Sequence, residues 1–136
     1  MKILLLLPAF ALLPLAGFGQ SQGQTNLDAD AAYQKADQEL NRTYQQILKQ
    51  YSGKTAFLQR LKTAQQRWIQ FRDAEVLAHY PVTTNPQLEY GSVYPMCYSQ
   101  QLEELTKART RQLRVWLVGI EEGDVCAGSV KTKLAK

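Results

Sequence analysis

Histidine and cysteine are scarce in this sequence, which has one His and two Cys among 136 residues. Structural zinc sites usually need four Cys or His ligands in paired spacing, so His79, Cys97 and Cys126 predict no metal site. The sequence also offers no Cys–His or Ser–His–Asp arrangement for nucleophilic catalysis. Asp73 and Glu75 project from different faces of a predicted helix and do not form a pair of catalytic carboxylates. We therefore expect neither an enzyme nor a bound cofactor.

Long apolar runs are absent except at the N-terminus, where residues 1–19 have the layout of a secretory signal peptide. Lys2 precedes an apolar stretch that is short for a membrane span of roughly 20 residues. Gly17 and Gly19 then supply the small residues of a cleavage site. A lipid anchor would need a cysteine where Phe18 stands. We expect an exported protein, periplasmic or secreted, with no lipid anchor and no stable membrane anchor.

The remaining chain has only a small excess of charge. Cleavage after Gly19 leaves 136 − 19 = 117 residues, and removing Lys2 lowers the formal net charge from +4 to +3. That length suits one domain, and mild basicity in an exported protein gives no reason to expect nucleic acid as a partner. Because exported proteins fold in an oxidising compartment, we predict a disulfide between Cys97 and Cys126.

Strand-like alternation, internal repeats and domain linkers are also missing, whereas helical periodicity fills most of the chain. Apolar residues recur every three or four positions in three segments. The first stripe is Tyr33, Ala36, Leu40, Tyr44, Ile47 and Tyr51; the second is Phe57, Leu61, Ala64, Trp68 and Phe71; the third is Tyr98, Leu102, Leu105, Arg109, Leu113 and Trp116. The predicted fold is all-α, with three long helices in an antiparallel bundle and a long loop, residues 80–92, between the second and third.

The polar and irregular segments set the predicted boundaries. A flexible leader is predicted at residues 20–26, the helical domain at 27–120 and an irregular tail at 121–136. The first helix is expected to start at about Asp28, which can cap it, as can Asn26.

Polar residues accompany the apolar stripe of each predicted helix. They are Asp37 and Asn41 on the first, Gln65 and Arg72 beside Trp68 on the second, and Thr106 and Arg109 on the third. A buried Arg is costly unless it is paired, and its planar fork can hold a carboxylate and lie on an aromatic ring. One interpretation is an interhelical network that fixes helix register, with Asp37 as the carboxylate for Arg72 or Arg109. Arg72 is then held inside the fold by Asp37 or by another acceptor on a neighbouring helix. The other is that these residues line a groove for a ligand.

Aromatic residues gather in and beside the predicted loop. Tyr80, Pro81, Tyr90 and Tyr94 are candidate binding residues, because aromatic side chains on a loop held by a rigid scaffold often anchor an interface. The competing interpretation is that these side chains cap the end of the bundle.

The order and spacing of these residues resemble the LprI-type domain, a family named after a mycobacterial lysozyme inhibitor. The segments ADQELNRTYQQIL, LKTAQQRWIQFRDAE and GSVYPMCYSQQLEELTKARTRQL carry the resemblance, over about residues 27–114. The matching positions are Asp37, Leu40, Asn41, Tyr44, Gln65, Trp68, Arg72, Asp73, Gly91, Ser92, Cys97, Leu105, Thr106, Arg109 and Leu113. The resemblance implies an exported helical domain and, for the namesake, binding and inhibition of lysozyme.

Two functions follow as expectations. The first is a non-enzymatic binding protein of the cell envelope whose partner is another protein, such as a lysozyme-like glycosidase. The alternative is a binder of a small ligand or a peptidoglycan fragment in an interhelical groove. That alternative predicts an apolar cavity near Trp68 that Arg72 or Arg109 reaches.

Overall fold

The computed structural model describes residues 21–133, and α-helices account for most of them. In chain order the helices are α1 (Gln22–Gln50), α2 (Thr55–His79), α3 (Pro86–Tyr90) and α4 (Tyr94–Val118). The all-α class is confirmed: across residues 21–133 the only β-type pairing is an isolated bridge between Ile120 and Thr132. None of the described helices is long and apolar enough to cross a membrane. The predicted signal peptide, residues 1–19, lies outside the described residues.

Helix α1 begins at Gln22 rather than at about Asp28, so most of the predicted flexible leader is helical. The Ser21 side chain accepts a hydrogen bond from the backbone N–H of Gln24 at 3.2 Å, which makes Ser21 the N-cap. One turn further on, the Gln24 side chain donates to Asp28 at 2.8 Å. Side-chain pairs four residues apart stabilise a helix. The predicted start was too late because the serine cap was overlooked.

The predicted loop, residues 80–92, contains the short helix α3, so residues 21–133 form four helices rather than three. The Asn85 side chain caps α3 by accepting a hydrogen bond from the N–H of Leu88 at 3.3 Å. Pro86 occupies the first helical position, where its missing N–H costs nothing. Gly91 ends the helix at φ 81°, a conformation that favours glycine. The loop prediction missed α3 because so short a helix shows no apolar period.

Helices α1 and α4 pack closely and run in the same direction. Near their starts, the Asn26 side chain donates to the backbone carbonyl of Ser92 at 3.2 Å. Near their ends, the Tyr51 hydroxyl donates to the carbonyl of Trp116 at 2.9 Å. Small buried side chains let the two helices approach each other. They are Ala29, Ala36 and Thr43 on α1, and Ser99, Thr106 and Thr110 on α4.

Helix α2 runs in the opposite direction and is joined to the other two by large side chains. At its start, the Phe57 ring lies 4.8 Å from the Tyr51 ring and 4.4 Å from the Trp116 ring. Just after its end, the Tyr80 ring lies 5.1 Å from the ring of Tyr94, at the start of α4. The central apolar cluster is formed by Leu40, Ile47, Tyr51, Leu61 and Leu113.

The buried face of α2 differs from the predicted stripe. Phe71, predicted to be in the core, is 53% exposed, and Ala64 is exposed as well. The inward positions are Leu61, Gln65, Trp68, Arg72 and Val76. Their steps of four, three, four and four match a helical face as well as the predicted set does. The apolar pattern therefore misled the assignment, because two inward positions of α2 are polar.

The predicted disulfide between Cys97 and Cys126 is wrong: both cysteines are free. Cys97 lies in the first turn of α4, whereas Cys126 lies in the tail that follows the other end of this helix. Cys97 is about 32 Å from that end at the rise of an α-helix. The tail is held there by the bridge between Ile120 and Thr132, and the segment from Ile120 to Cys126 spans at most about 20 Å. The pairing was inferred from the number of cysteines and the oxidising compartment, without regard to helix length.

Thr106 is fully buried, and its Oγ1 atom has no hydrogen-bond partner in the described part of the chain. Its carbonyl accepts the Thr110 hydroxyl at 3.0 Å. Leaving a buried hydroxyl unpaired costs about 1–3 kcal/mol. We expect Thr106→Val, which removes that hydroxyl, to raise the free energy of unfolding by about 1 kcal/mol. The matched control Thr110→Val loses a hydrogen bond and should not stabilise. Urea unfolding checks both, and a destabilised Thr106→Val protein would contradict the assignment.

Candidate functional site

Arg72 lies between α1 and α2 with its side chain only 11% exposed. Its guanidinium is 3.6 Å from Asp37 Oδ1 and 2.8 Å from Asp73 Oδ1. Its Cζ atom lies 5.4 Å from the centre of the Trp68 ring and 5.9 Å from that of Tyr33. Cation–aromatic contacts of this kind gain strength when they are shielded from water. Arg72 therefore combines two carboxylates and two rings in one partly buried contact.

Arg109 approaches the same indole from α4. Its Cζ atom lies 5.9 Å from the centre of the Trp68 ring, and its Nε donates to Gln65 Oε1 at 3.0 Å. Burial lowers the pKa of Arg109, because the charged form loses hydration. An arginine remains protonated even so. The two guanidinium groups thus fill space next to Trp68 where the groove interpretation expects a ligand cavity.

Most of the predicted polar set comes together in this region, which we call the arginine network. Its members are Asp37, Asn41, Gln65, Trp68, Arg72 and Arg109, with Asn41 donating to Asp37 at 3.0 Å. Thr106, the remaining predicted member, is not hydrogen-bonded to it. Asp73 and Tyr33 were missed, although Asp73 follows Arg72 directly and Tyr33 precedes Asp37 by one helical turn. We infer that the network is structural, since its arginines already have protein partners.

Tyr80, Tyr90, Tyr94 and Tyr98 form a tyrosine cluster where α2 ends and α4 begins. The Tyr80 ring lies 5.3 Å from Tyr90, 5.1 Å from Tyr94 and 6.2 Å from Tyr98. Burial raises the pKa of Tyr80, and the nearby Cys97 thiol raises it further. The Tyr90 hydroxyl accepts a hydrogen bond from the N–H of Val82 at 3.1 Å. Three of the four predicted binding residues therefore pack on one another, as the capping interpretation expects, and Tyr98 was missed.

Tyr80 lies at the centre of this cluster, so we expect removal of its ring to lower the stability of the fold. Edge-to-face aromatic pairs are worth about 0.5–1.5 kcal/mol each. Tyr80 makes two such pairs, with Tyr90 and Tyr94, so we expect Tyr80→Ala to lower the free energy of unfolding by about 1–3 kcal/mol, measured by urea unfolding. Tyr80→Phe keeps the ring and should stay within about 0.5 kcal/mol of the parent protein. Equal stability of Tyr80→Ala and the parent would mean that the ring does not cap the fold.

Four of the solvent-facing residues around α3 are apolar and lie among polar ones, and we call these four the α3 surface. They are Pro81, Val82, Leu88 and Val93, with Leu88 83% exposed and Val82 and Val93 each 41% exposed. Two hydrogen bonds fix this surface: Tyr90 of the tyrosine cluster accepts one from the N–H of Val82, and the Asn85 side chain accepts one from the N–H of Leu88. Of the predicted binding residues only Pro81 belongs to it. Leu88 was missed because only aromatic side chains and the proline beside them were considered as anchors.

The similarity of this chain to known proteins covers the helices described above. The sequence model of a family described as Lysozyme inhibitor LprI matches residues 18–113, a range that includes the arginine network, α3 and most of α4. An uncharacterized protein of Rhizobium meliloti is 35% identical over 109 residues, which covers 69% of this chain and 72% of that protein. No solved structure matches the chain.

Proposed function

Because this chain belongs to the lysozyme inhibitor LprI family, we propose that it is an exported, non-enzymatic protein that binds and inhibits a lysozyme-like glycosidase. The α3 surface is the binding surface in this proposal. The observation that carries it is the exposure of Leu88, which is 83% accessible on a short helix fixed at both ends. An exposed leucine gains about 1.5–3 kcal/mol when a partner buries it.

The support beneath α3 favours binding without a large loss of conformational freedom. The Asn85 side chain holds the N–H of Leu88, and the Tyr90 hydroxyl holds the N–H of Val82. A surface that is already ordered loses less entropy when it meets a partner. The tyrosine cluster therefore contributes indirectly here, by holding Leu88 and Val82 in place, rather than by contacting the partner itself.

The charge of this surface differs from that of the whole chain. The chain has a formal net charge of +4, yet residues 80–93 contain no Lys or Arg and a single acidic residue, Glu89. A basic glycosidase would meet no cationic side chain from this segment. Because this segment has a single charged residue, we expect the Kd to change by less than about threefold between roughly 50 and 300 mM salt.

An inhibition titration tests the proposal. A purified animal-type lysozyme digests a peptidoglycan suspension while increasing amounts of the protein are added. For a tight inhibitor, residual activity should fall in proportion to added protein and approach zero at about one equivalent. Full activity at about a tenfold excess of the protein would contradict the proposal. Heat-unfolded protein at the same concentration controls for adsorption of the substrate.

The alternative, a ligand held beside Trp68, receives less support. The guanidinium carbons of Arg72 and Arg109 lie 5.4 and 5.9 Å from the centre of that ring. Both arginines also have protein hydrogen-bond or ion-pair partners. A ligand in this position would have to displace them from these contacts.

A further inference from the structure

A groove of about 510 Å³ follows the outer side of the α1–α4 interface. Its floor is formed by the small side chains of Ala32, Ala36 and Thr110. Whereas Asp37 of α1 turns towards Arg72 on α2, the groove residue Glu39 turns towards Arg114 on α4. The groove is therefore separate from both the arginine network and the α3 surface. Its volume lies in the range of small-ligand sites, about 300–1,000 Å³.

The walls of this groove carry charges of both signs. Glu39 of α1 pairs with Arg114 of α4, and Glu103 pairs with Lys107 along α4. Those two pairs leave the other two cations of the groove, Lys35 and Arg111, with no ion pair within residues 21–133. One stands on each helix, on opposite walls. The groove consequently has an uncompensated charge of about +2 over an apolar floor.

We propose that this groove binds a short acidic peptide, with Lys35 and Arg111 holding its carboxylates. Glu103 to Arg114 covers about 16 Å along α4, which is the length of four or five extended residues at roughly 3.3 Å each. The planar fork of Arg111 suits a carboxylate, which it can take through two hydrogen bonds. The small side chains of the floor leave room for the backbone of such a peptide.

The two wall carboxylates narrow the class of ligand. Glu39 and Glu103 are already paired with Arg114 and Lys107, so only Lys35 and Arg111 remain for the carboxylates of a ligand. A polymer with a negative charge on every unit, such as a polyphosphate, would place further anions next to Glu39 and Glu103. An ammonium group of a ligand can share these carboxylates with their present partners, so the wall suits a peptide that has both carboxylates and a free amine. Two sources supply that chemistry: the branched acidic stem peptides of a bacterial cell wall, and ordinary acidic peptides released by proteolysis.

An NMR titration tests this inference. The protein is purified after expression of the full chain. The probes are Ala-γ-Glu-diaminopimelate, which represents the wall stem, and the linear peptide Ala-Glu-Glu-Ala. Amide signals of Ala32, Ala36 and Thr110 should shift with either or both probes. Tighter binding of the first by at least about tenfold would assign the wall as the source. Equal binding would assign acidic peptides in general. Absence of shifts in these residues would overturn the proposal.

Charge variants locate the contact. We expect the double substitution Lys35→Gln and Arg111→Gln to weaken binding of the tighter probe by at least about tenfold, because two charge-assisted contacts are lost. Both residues are exposed, so the fold is expected to persist, as circular dichroism can verify. The control carries Arg60→Gln and Lys62→Gln on exposed positions of α2, which changes net charge equally. If the control variant weakens binding of the probe equally, the effect comes from net charge alone, which would overturn the proposal. Lysozyme inhibition by the groove variant should be unchanged, so the two proposals fail independently.

Discussion

Arg72→Ala is expected to lower the free energy of unfolding by about 2–4 kcal/mol, which is a large part of the stability of a small domain. The side chain is 11% exposed and contacts Asp37, Asp73 and the rings of Trp68 and Tyr33. Alanine would leave the carboxylate of Asp37 without this partner and would leave a gap next to the indole. Asp37 is 34% exposed and Asp73 53% exposed. Water can therefore replace part of the lost contact, and the expected effect lies below that of a fully buried pair.

Two further variants separate the contributions of Arg72. Arg72→Lys keeps the charge but loses the planar fork, so we expect it to recover only part of the stability. Arg42→Ala is the matched control, because Arg42 pairs with Glu39 at 3.5 Å while its side chain is 65% exposed. That exposed pair should contribute less than about 0.5 kcal/mol. Urea unfolding of all three variants measures how much Arg72 stabilises the fold. A change within about 0.5 kcal/mol for Arg72→Ala would show that Arg72 does not stabilise the fold.

Leu88→Asp is expected to weaken binding to the glycosidase by at least about a hundredfold. The substitution removes an apolar contact worth about 1.5–3 kcal/mol and places an unpaired charge in the interface. It should leave the protein's stability nearly unchanged, since Leu88 is 83% exposed. Moreover, position 88 lies in the first turn of α3, where the helix dipole favours an acidic residue. The expected result is therefore a folded protein that no longer inhibits.

Val125→Asp is the matched control for that experiment. Val125 is 98% exposed and lies in the tail that follows the other end of α4. The same apolar-to-acidic change there should leave inhibition within about twofold of the parent protein. Inhibition constants and melting temperatures of both variants provide the measurement. Full inhibition by Leu88→Asp would exclude Leu88 from the interface.

The helical class and the neighbours of Trp68 on α2 could be predicted from sequence because both follow from local spacing. Gln65, Trp68 and Arg72 are separated by three and four residues, so they share one face of α2 whatever the rest of the chain does. The same spacing could not decide whether Phe71 or Arg72 points inward. That choice depends on Asp37 and Tyr33, which belong to another helix and become neighbours only when the chain folds.

The α3 surface shows a second feature that local sequence patterns did not predict. Asn85 and Pro86 are the capping signals of a helix too short to show an apolar period, and they were read as loop residues. The exposure of Leu88 follows from the position of α3 on the tyrosine cluster, which local patterns do not contain. Likewise, the distance between Cys97 and Cys126 depends on the length and direction of α4 rather than on the number of cysteines. The exposure of Leu88 and the separation of the cysteines need the packed structure, whereas the capping signals of α3 are local.

Hydrogen–deuterium exchange of the protein, alone and with saturating lysozyme, tests whether the α3 surface binds the enzyme. We expect slower exchange of backbone amides in residues 82–93 when the enzyme is bound, because the partner covers the α3 surface. Amides in the tail, residues 119–133, should exchange at the same rate in both samples. Protection confined to the tail or to the α1–α4 groove, or the absence of any complex, would show that the α3 surface does not bind lysozyme.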